Sequence, residues 1–443
     1  MQQKHLFFGF GFVFSLLFGL FFVGNLEAKE ANSTKKPDSE KTRLEALAKL
    51  TKTLAIVENN YVEQMSFSEL VDKTISGLMG NLDAHSSFMD QKAYNDTKVQ
   101  TQGEFGGLGI QVGMKDGALT VISPIEGTPA DKKGLKANDV ILRIDGNATL
   151  GITIDEAVSK MRGKPKTKIT LTIVRKGESK PFDVEIVRDI IKVESAYSKM
   201  IDDEKILYLR VTNFDQHVTA DTAKFIKEHP EAKGIILDLR NNPGGLLEQA
   251  IGLVNLFVDK GLIVSQKGRN KSDTEEHNAD PKKKVTDLPL VVLVNGGSAS
   301  ASEIVSGSLQ DLKRAVIVGE NTFGKGSVQV ILPIENKEAL RLTIARYYLS
   351  SGRTIQAVGV TPDLIVAAGK VPQKSENEFS VKEADLKKHL ESELAKVEEP
   401  KKEEEKKEKK DEKNFISKEQ INDDIQLKTA IDAIKILRLS KGE

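Results

Sequence analysis

The sequence predicts an α/β core built on a mostly parallel sheet, with a mainly β module ahead of it and helical segments at both ends. Three observations carry this. Between Lys205 and about Val366, apolar strand runs alternate with stretches of helical periodicity, the pattern of strand–helix–strand units around a parallel sheet. Between Gly103 and about Asp189, period-2 runs follow one another across glycine-rich turns. From Thr42 to about Met79, apolar residues recur at helical spacing.

In chain order, Lys4 precedes an uncharged run, Leu6 to Leu26, rich in Phe and Leu. A positive start followed by an apolar run is an export signal, so residues 1–28 are expected to be a signal peptide or a membrane anchor. Ala28 suits a cleavage site while Leu26 does not, and the run is long enough to span a bilayer. Cleavage and retention both stay open; either way the rest of the chain is expected outside the cytoplasm, on the periplasmic side of the cell envelope. Residues 29–102 form a polar linker and then a helical region, with Leu44, Leu47, Leu50, Leu54, Ile56 and Val57 at helical spacing.

The β module spans 103–189. Its strands are expected at ALTVIS (118–123), DVILRI (139–144), KITLTIV (168–174) and FDVEIV (182–187), with one helical stretch from Ile154 to Met161. The core spans 190–370. Strands are expected at ILYLRV, GIILDL, LPLVVLV, AVIVG, VQVILPI and LRLTIARYY, and helices near 219–228, 246–258 and 300–312. Residues 371–443 open on a polar stretch in which 396–413 is almost wholly charged with mixed sign, the signature of a solvated segment. An amphipathic helix follows, carrying Ile421, Ile425, Leu427, Ala430, Ile431, Ile434 and Leu437. It is expected to pack on the body or on a second copy of the chain, which would make a homo-oligomer.

Composition removes several function classes. The 443 residues carry 65 Lys+Arg and 65 Asp+Glu, without the basic excess of a nucleic-acid binder. There is no Cys, so disulfides, thiolate catalysis and cysteine metal sites are excluded. The six His (His5, His85, His217, His229, His277, His389) include no i, i+4 pair, and neither a metal nor another cofactor is expected.

Three motifs can carry chemistry. In LVNGGSASASEI (293–304) an apolar strand runs into a tight turn and then a helix. That geometry presents a nucleophile at a helix N-terminus, where free amides and the helix dipole stabilise an oxyanion. A serine-rich N-cap reads the same way, and the residues alone do not choose among Ser298, Ser300 and Ser302. GENTFGKGSVQ (319–329) approaches a phosphate-binding loop, but Gly326 stands where Ser or Thr is needed and SVQVILPI reads as strand rather than helix. Glycines flanking Lys325 suit close packing around it. A lysine in an apolar pocket loses solvation, its pKa falls, and it becomes a general base; an ordinary loop lysine is the other reading. LDLRNNPGG (237–245) ends a strand in a glycine pair that either brings amides against a ligand or simply turns the chain.

In this order and spacing the sequence resembles the carboxyl-terminal processing peptidases, or tail-specific proteases. The matching segments are LDAHSSF (82–88), EFGGLGI (104–110), SPIEGTPADKKGLKANDVILRIDG (123–146), LDLRNNPGG (237–245), GSASASE (297–303), FGKGSVQ (323–329) and SGRTIQAVGVTPD (351–363). The resemblance implies an exported serine endopeptidase acting near the C-termini of proteins. It implies Ser300 as nucleophile, Lys325 as base, Gln329 as the residue orienting the lysine amine, and an oxyanion hole from the amides of Ala301 and Gly244 or Gly245. The module at 103–189 resembles a PDZ domain, with Gly106, Gly107, Leu108 and Gly109 as its carboxylate-binding loop. The partners implied are proteins or peptides with free C-termini. A non-catalytic PDZ scaffold of the envelope is the alternative, against which Ser300, Lys325 and Gln329 all stand intact.

Overall fold

A computed structural model describes residues 39–334, 337–372, 415–440 and 442. The N-terminal apolar run and the charged stretch 396–413 lie outside the described residues. The chain divides between Thr74 and Ile75. On the N-terminal side the expected helical region is two helices, Glu40–Asn60 and Phe67–Gly80, the second crossing the division. The first starts where Ser39 accepts the amide of Thr42, and none of its residues is buried.

Beyond the division, six strands form the central sheet, in the order Ala196–Ile201, Ile206–Val211, Gly234–Asp238, Leu290–Val294, Val316–Gly319, Leu364–Ile365. The first pair is antiparallel and every later pair is parallel. Helices cover both faces, so Gly234–Asp238 and Leu290–Val294 are buried at every position, as parallel sheets require. On one face Leu237, Val292 and Val294 meet Leu253 and Val254 of helix Leu247–Asn255, and Ile304 and Val305 of helix Ala301–Asp311. On the other, Ile236, Val291, Leu293 and Val318 meet Leu427, Ala430, Ile431 and Ile434 of the last helix, Ile425–Ser440. That helix therefore docks on the body. Arg240, just after the Gly234–Asp238 strand, reaches Asp424 and Gln426 beside it.

The strands expected at VQVILPI and LRLTIARYY belong elsewhere. Ser327–Pro333 and Ala339–Leu349 pair antiparallel, in a separate antiparallel sheet with Ser87–Met89, Leu262–Lys267 and Thr274–Asn278. The reason is the connection: residues 334–338 are too few for the crossover a parallel pair needs. The last two of those strands, LIVSQK and TEEHN, do not show in the sequence; Thr274–Asn278 is largely exposed and carries adjacent charges, Glu275 and Glu276, that hide any alternation.

The β module has its own core, with Leu119, Ile141, Leu171, Ile173 and Ile186 packed on Ala157 and Met161 of its helix. The helix Ile154–Met161 is started by a reciprocal cap between Thr153 and Glu156. Glu104–Gly107, entering the module, pairs antiparallel with Asp189–Lys192, leaving it, so both connections meet in one two-stranded ribbon.

Candidate active site

The Leu290–Val294 strand delivers the chain into the turn Asn295–Ala299, and the helix Ala301–Asp311 begins immediately after Ser300. The turn is pinned to LDLRNNPGG. Asn295 Oδ1 accepts the amides of Asn241 and Gly297, and Asn242 O accepts the amide of Ala299. The serines now separate. Ser298 is fully buried and donates to Leu239 O at 2.8 Å; Ser302 is fully buried and donates to Asn242 O at 2.9 Å. Ser300 is half-buried, at φ 55° and ψ −111°. Such a conformation is costly for a non-glycine residue and persists only where the surroundings impose it.

Glu303 imposes it. This side chain is fully buried. Its Oε2 accepts the amide of Ser300 at 2.8 Å and the amide of Lys325 at 2.8 Å. Its Oε1 accepts the amide of Gly324 at 2.7 Å and the hydroxyl of Thr322. One carboxylate thus holds the backbones of Ser300 and Lys325 from a single oxygen. The sequence reading missed Glu303, although the Ser-x-x-Glu spacing of a capping box marks it. The glycines around Lys325 are close approaches: a Cβ at Gly326 would stand 2.6 Å from Gln356 N, and Gly324 sits at φ +93°. Burial first, then the positive charge of Arg341, push the Lys325 amine below the usual lysine range, with Glu303 opposing them.

Gly244, at φ +103°, lies against the serine: a Cβ there would stand 2.9 Å from Ser300 Cβ and 3.0 Å from Ala301 N. The amide of Gly244 donates to Asn242 Oδ1 at 2.9 Å. The amides of Gly245 and Ala301 have no acceptor among the described residues. Gln329 is half-buried, and its Nε2 donates to Ser327 Oγ and Thr343 Oγ1.

The glycine loop of the β module lies apart from these residues. Gly107, Leu108 and Gly109 line a groove of about 280 Å³ between strand Ile110–Lys115 and helix Ile154–Met161, whose walls include Ile110, Val112 and Val158. Ile110–Lys115 is an edge strand of its sheet, so its outer side is open to an added strand. Gly106 faces a neighbouring cleft instead; a Cβ there would run into Gly163 O at 2.0 Å.

Residues 205–366 match peptidase family S41, residues 106–186 match the PDZ domain, and residues 13–93 match the N-terminal domain of the activating protease CtpB. The chain is 44% identical over 360 residues to a carboxy-terminal-processing protease of Bartonella bacilliformis, covering 80% of this chain and 82% of that protein. It is 37% identical over 348 residues to the carboxy-terminal processing protease CtpA of Bacillus subtilis, covering 78% and 73%. Among solved structures, the photosystem II D1 C-terminal processing protease aligns over 74% of this chain and 94% of that one, at 24% identity and a TM-score of 0.42. The extent and identity of the Bartonella match mean that this chain, with its PDZ domain, belongs to the carboxy-terminal processing proteases of peptidase family S41 and is a serine-type peptidase.

Proposed function

We propose that this protease is exported and cuts proteins near their C-termini, with Ser300 as nucleophile and Lys325 as general base, after the PDZ module has taken the substrate's tail. The observation that carries the catalytic assignment is the Glu303 carboxylate, which binds the backbones of Ser300 and Lys325 at once, while the hydroxyls of Ser298 and Ser302 are spent on carbonyls. Neutral Lys325 takes the proton of Ser300 Oγ as that oxygen bonds to the scissile carbonyl carbon. The oxyanion is held by the amides of Gly245 and Ala301, both without an acceptor among the described residues. Lys325 then gives the proton to the leaving amine, and water, deprotonated by the same lysine, releases the acyl group from Ser300. Export is supported by Lys4 and the apolar run behind it.

The catalytic assignment is tested by labelling. A peptidyl phosphonate, which bonds covalently to an activated serine, is expected to modify the intact protein once, at Ser300, as mapped by mass spectrometry of digests. Modification at Ser298 or Ser302 instead would overturn it.

The tail-binding assignment rests on the open edge strand and the apolar groove beside it. A peptide adds to such an edge by main-chain hydrogen bonds, and amides of the preceding loop take its terminal carboxylate. Peptides with a free C-terminus and an apolar last residue are therefore expected to be cut roughly tenfold faster than their amidated twins, the worth of about one charge-assisted hydrogen bond. Equal rates would remove carboxylate capture from the reading.

A further inference from the structure

The carboxamide of Gln329 spends its nitrogen. Nε2 donates to Ser327 Oγ at 2.9 Å and to Thr343 Oγ1 at 3.1 Å. Gln329 and Thr343 face each other across the antiparallel pair Ser327–Pro333 and Ala339–Leu349. Thr343 Oγ1 in turn donates to Asp83 Oδ1 at 3.1 Å. Asp83 belongs to the LDAHSSF segment, where its carboxylate also accepts the amides of His85 and Ser86 and the hydroxyl of Ser86. The Ser86 hydroxyl foremost, against some burial, holds this carboxyl below its usual range. Asp83 is therefore ionised at neutral pH and only accepts.

That fixes a direction. A threonine hydroxyl has one hydrogen. Given to Asp83, it leaves Thr343 Oγ1 with lone pairs alone to offer Gln329. Only the NH2 end of a carboxamide donates to a lone pair, so the oxygen end is turned to the other side. Without a fixed acceptor at Thr343, the two ends of Gln329 would be nearly equivalent in shape, and an amide flip would cost little.

We propose that Asp83 and Thr343 are positioning residues that set which end of the Gln329 carboxamide faces the catalytic lysine, presenting Oε1 as the acceptor that orients the Lys325 amine. The inference rests on the Ser300–Lys325 reading and on the role at the lysine that the resemblance implies for Gln329. It gives LDAHSSF a task beyond laying the short strand Ser87–Met89 along Ala339–Leu349. Neither residue touches a reacting atom. The charged groups that act on the Lys325 amine are Arg341 and Glu303, and the test leaves both in place.

The experiment uses the full chain and measures kcat, KM and the pH profile of kcat/KM. Thr343→Val keeps the β-branched shape and removes the acceptor. It is expected to lower kcat about tenfold, the worth of one buried hydrogen bond, with KM little changed. Its acid limb should move to lower pH, because an acceptor at the amine favours the ammonium form and has been withdrawn. Thr343→Ser should restore activity and profile. Asp83→Ala, which removes the acceptor and lets the Thr343 hydroxyl turn round, should cause a loss of the same kind, whereas Asp83→Asn, whose oxygen can stay under the amides of His85 and Ser86 and still accept from Thr343, should cost little. In a Gln329→Ala background neither Thr343→Val nor Asp83→Ala should cost anything further in kcat. Equal losses in both backgrounds, or an unmoved acid limb, would show that the two residues serve only the fold and would overturn the inference. Lys325→Ala is measured alongside: if it stays active, the Ser300–Lys325 reading falls and takes this inference with it; if it is inactive while the Thr343 and Gln329 losses add, this inference alone falls.

Discussion

Ser300→Ala is expected to lower kcat/KM by a factor on the order of 10⁴–10⁶, Lys325→Ala by as much, and the double variant by no more than either alone. Nucleophile and base act as a unit, so losing one leaves the other with nothing to do. The residual rate is that of the substrate held near the amides of Gly245 and Ala301. Substrate binding should survive, since one oxygen is removed at Ser300 and the groove of the PDZ domain is untouched. Lys325→Arg should be as inactive as Lys325→Ala, because a guanidinium stays protonated at any working pH. The pH profile follows from the same lysine. Its amine is held below the usual lysine range by burial and by Arg341, and only the neutral form accepts a proton. Activity should therefore rise with pH through that lowered pKa and level off above it. Substantial activity in Lys325→Arg, or losses for the two single variants that multiply in the double, would overturn the pairing.

The sequence showed the parts of this site without their connections. Strand, glycine turn and helix around residues 293–312 were readable because apolar runs and glycines sit at the boundaries. The difference between Ser300 and its neighbours, on which the proposed nucleophile rests, was not, because it depends on which hydroxyls find a carbonyl. Leu239 O and Asn242 O, the partners of Ser298 and Ser302, lie about 60 residues upstream of them. The difference between the amides of Gly244 and Gly245 was hidden for a similar reason: Asn242 turns its side chain onto one amide and not the other. Likewise Gly106–Gly109 read as one loop, yet Gly106 and Gly107 pair with Ile190 and Asp189, a contact across the whole module. Local pattern carries information about turns and helix starts; pairing between distant segments needs the fold.

Glu303 is the clearest case of a residue whose local role conceals its long-range one, and its replacement has the second large expected effect. Seen locally it is the third residue of a helix, capping the amide of Ser300. In three dimensions its two oxygens, on a fully buried side chain, accept three amides and one hydroxyl, from Ser300, Lys325, Gly324 and Thr322. Glu303→Ala leaves all four donors without that acceptor. At roughly 1–3 kcal/mol for each buried donor left unpaired, with partial relaxation, the loss should exceed about 4 kcal/mol. Whatever protein folds should be nearly as inactive as Ser300→Ala, since among the described residues only Glu303 Oε2 accepts the amides of both Ser300 and Lys325. Glu303→Gln separates the two duties. A glutamine keeps one acceptor and turns a donor towards the other pair. Thr322 Oγ1 already accepts the amide of Val360 and has a second lone pair, so the new NH2 group is best tolerated facing Thr322 and Gly324. The retained oxygen then still holds Ser300 and Lys325, while the Gly324 amide and the Thr322 hydroxyl hydrogen lose their acceptor. Glu303→Gln is thus expected to cost roughly 1–3 kcal/mol for each of these two donors, less what rotation of the Thr322 hydroxyl recovers, while keeping a large part of kcat, so that thermal melts and kinetics on the two variants diverge. If Glu303→Gln were as inactive as Glu303→Ala at full folded occupancy, the charge of Glu303 and not its geometry would be what the site requires. If Glu303→Ala were both stable and active, the carboxylate would have no part in joining the two catalytic segments.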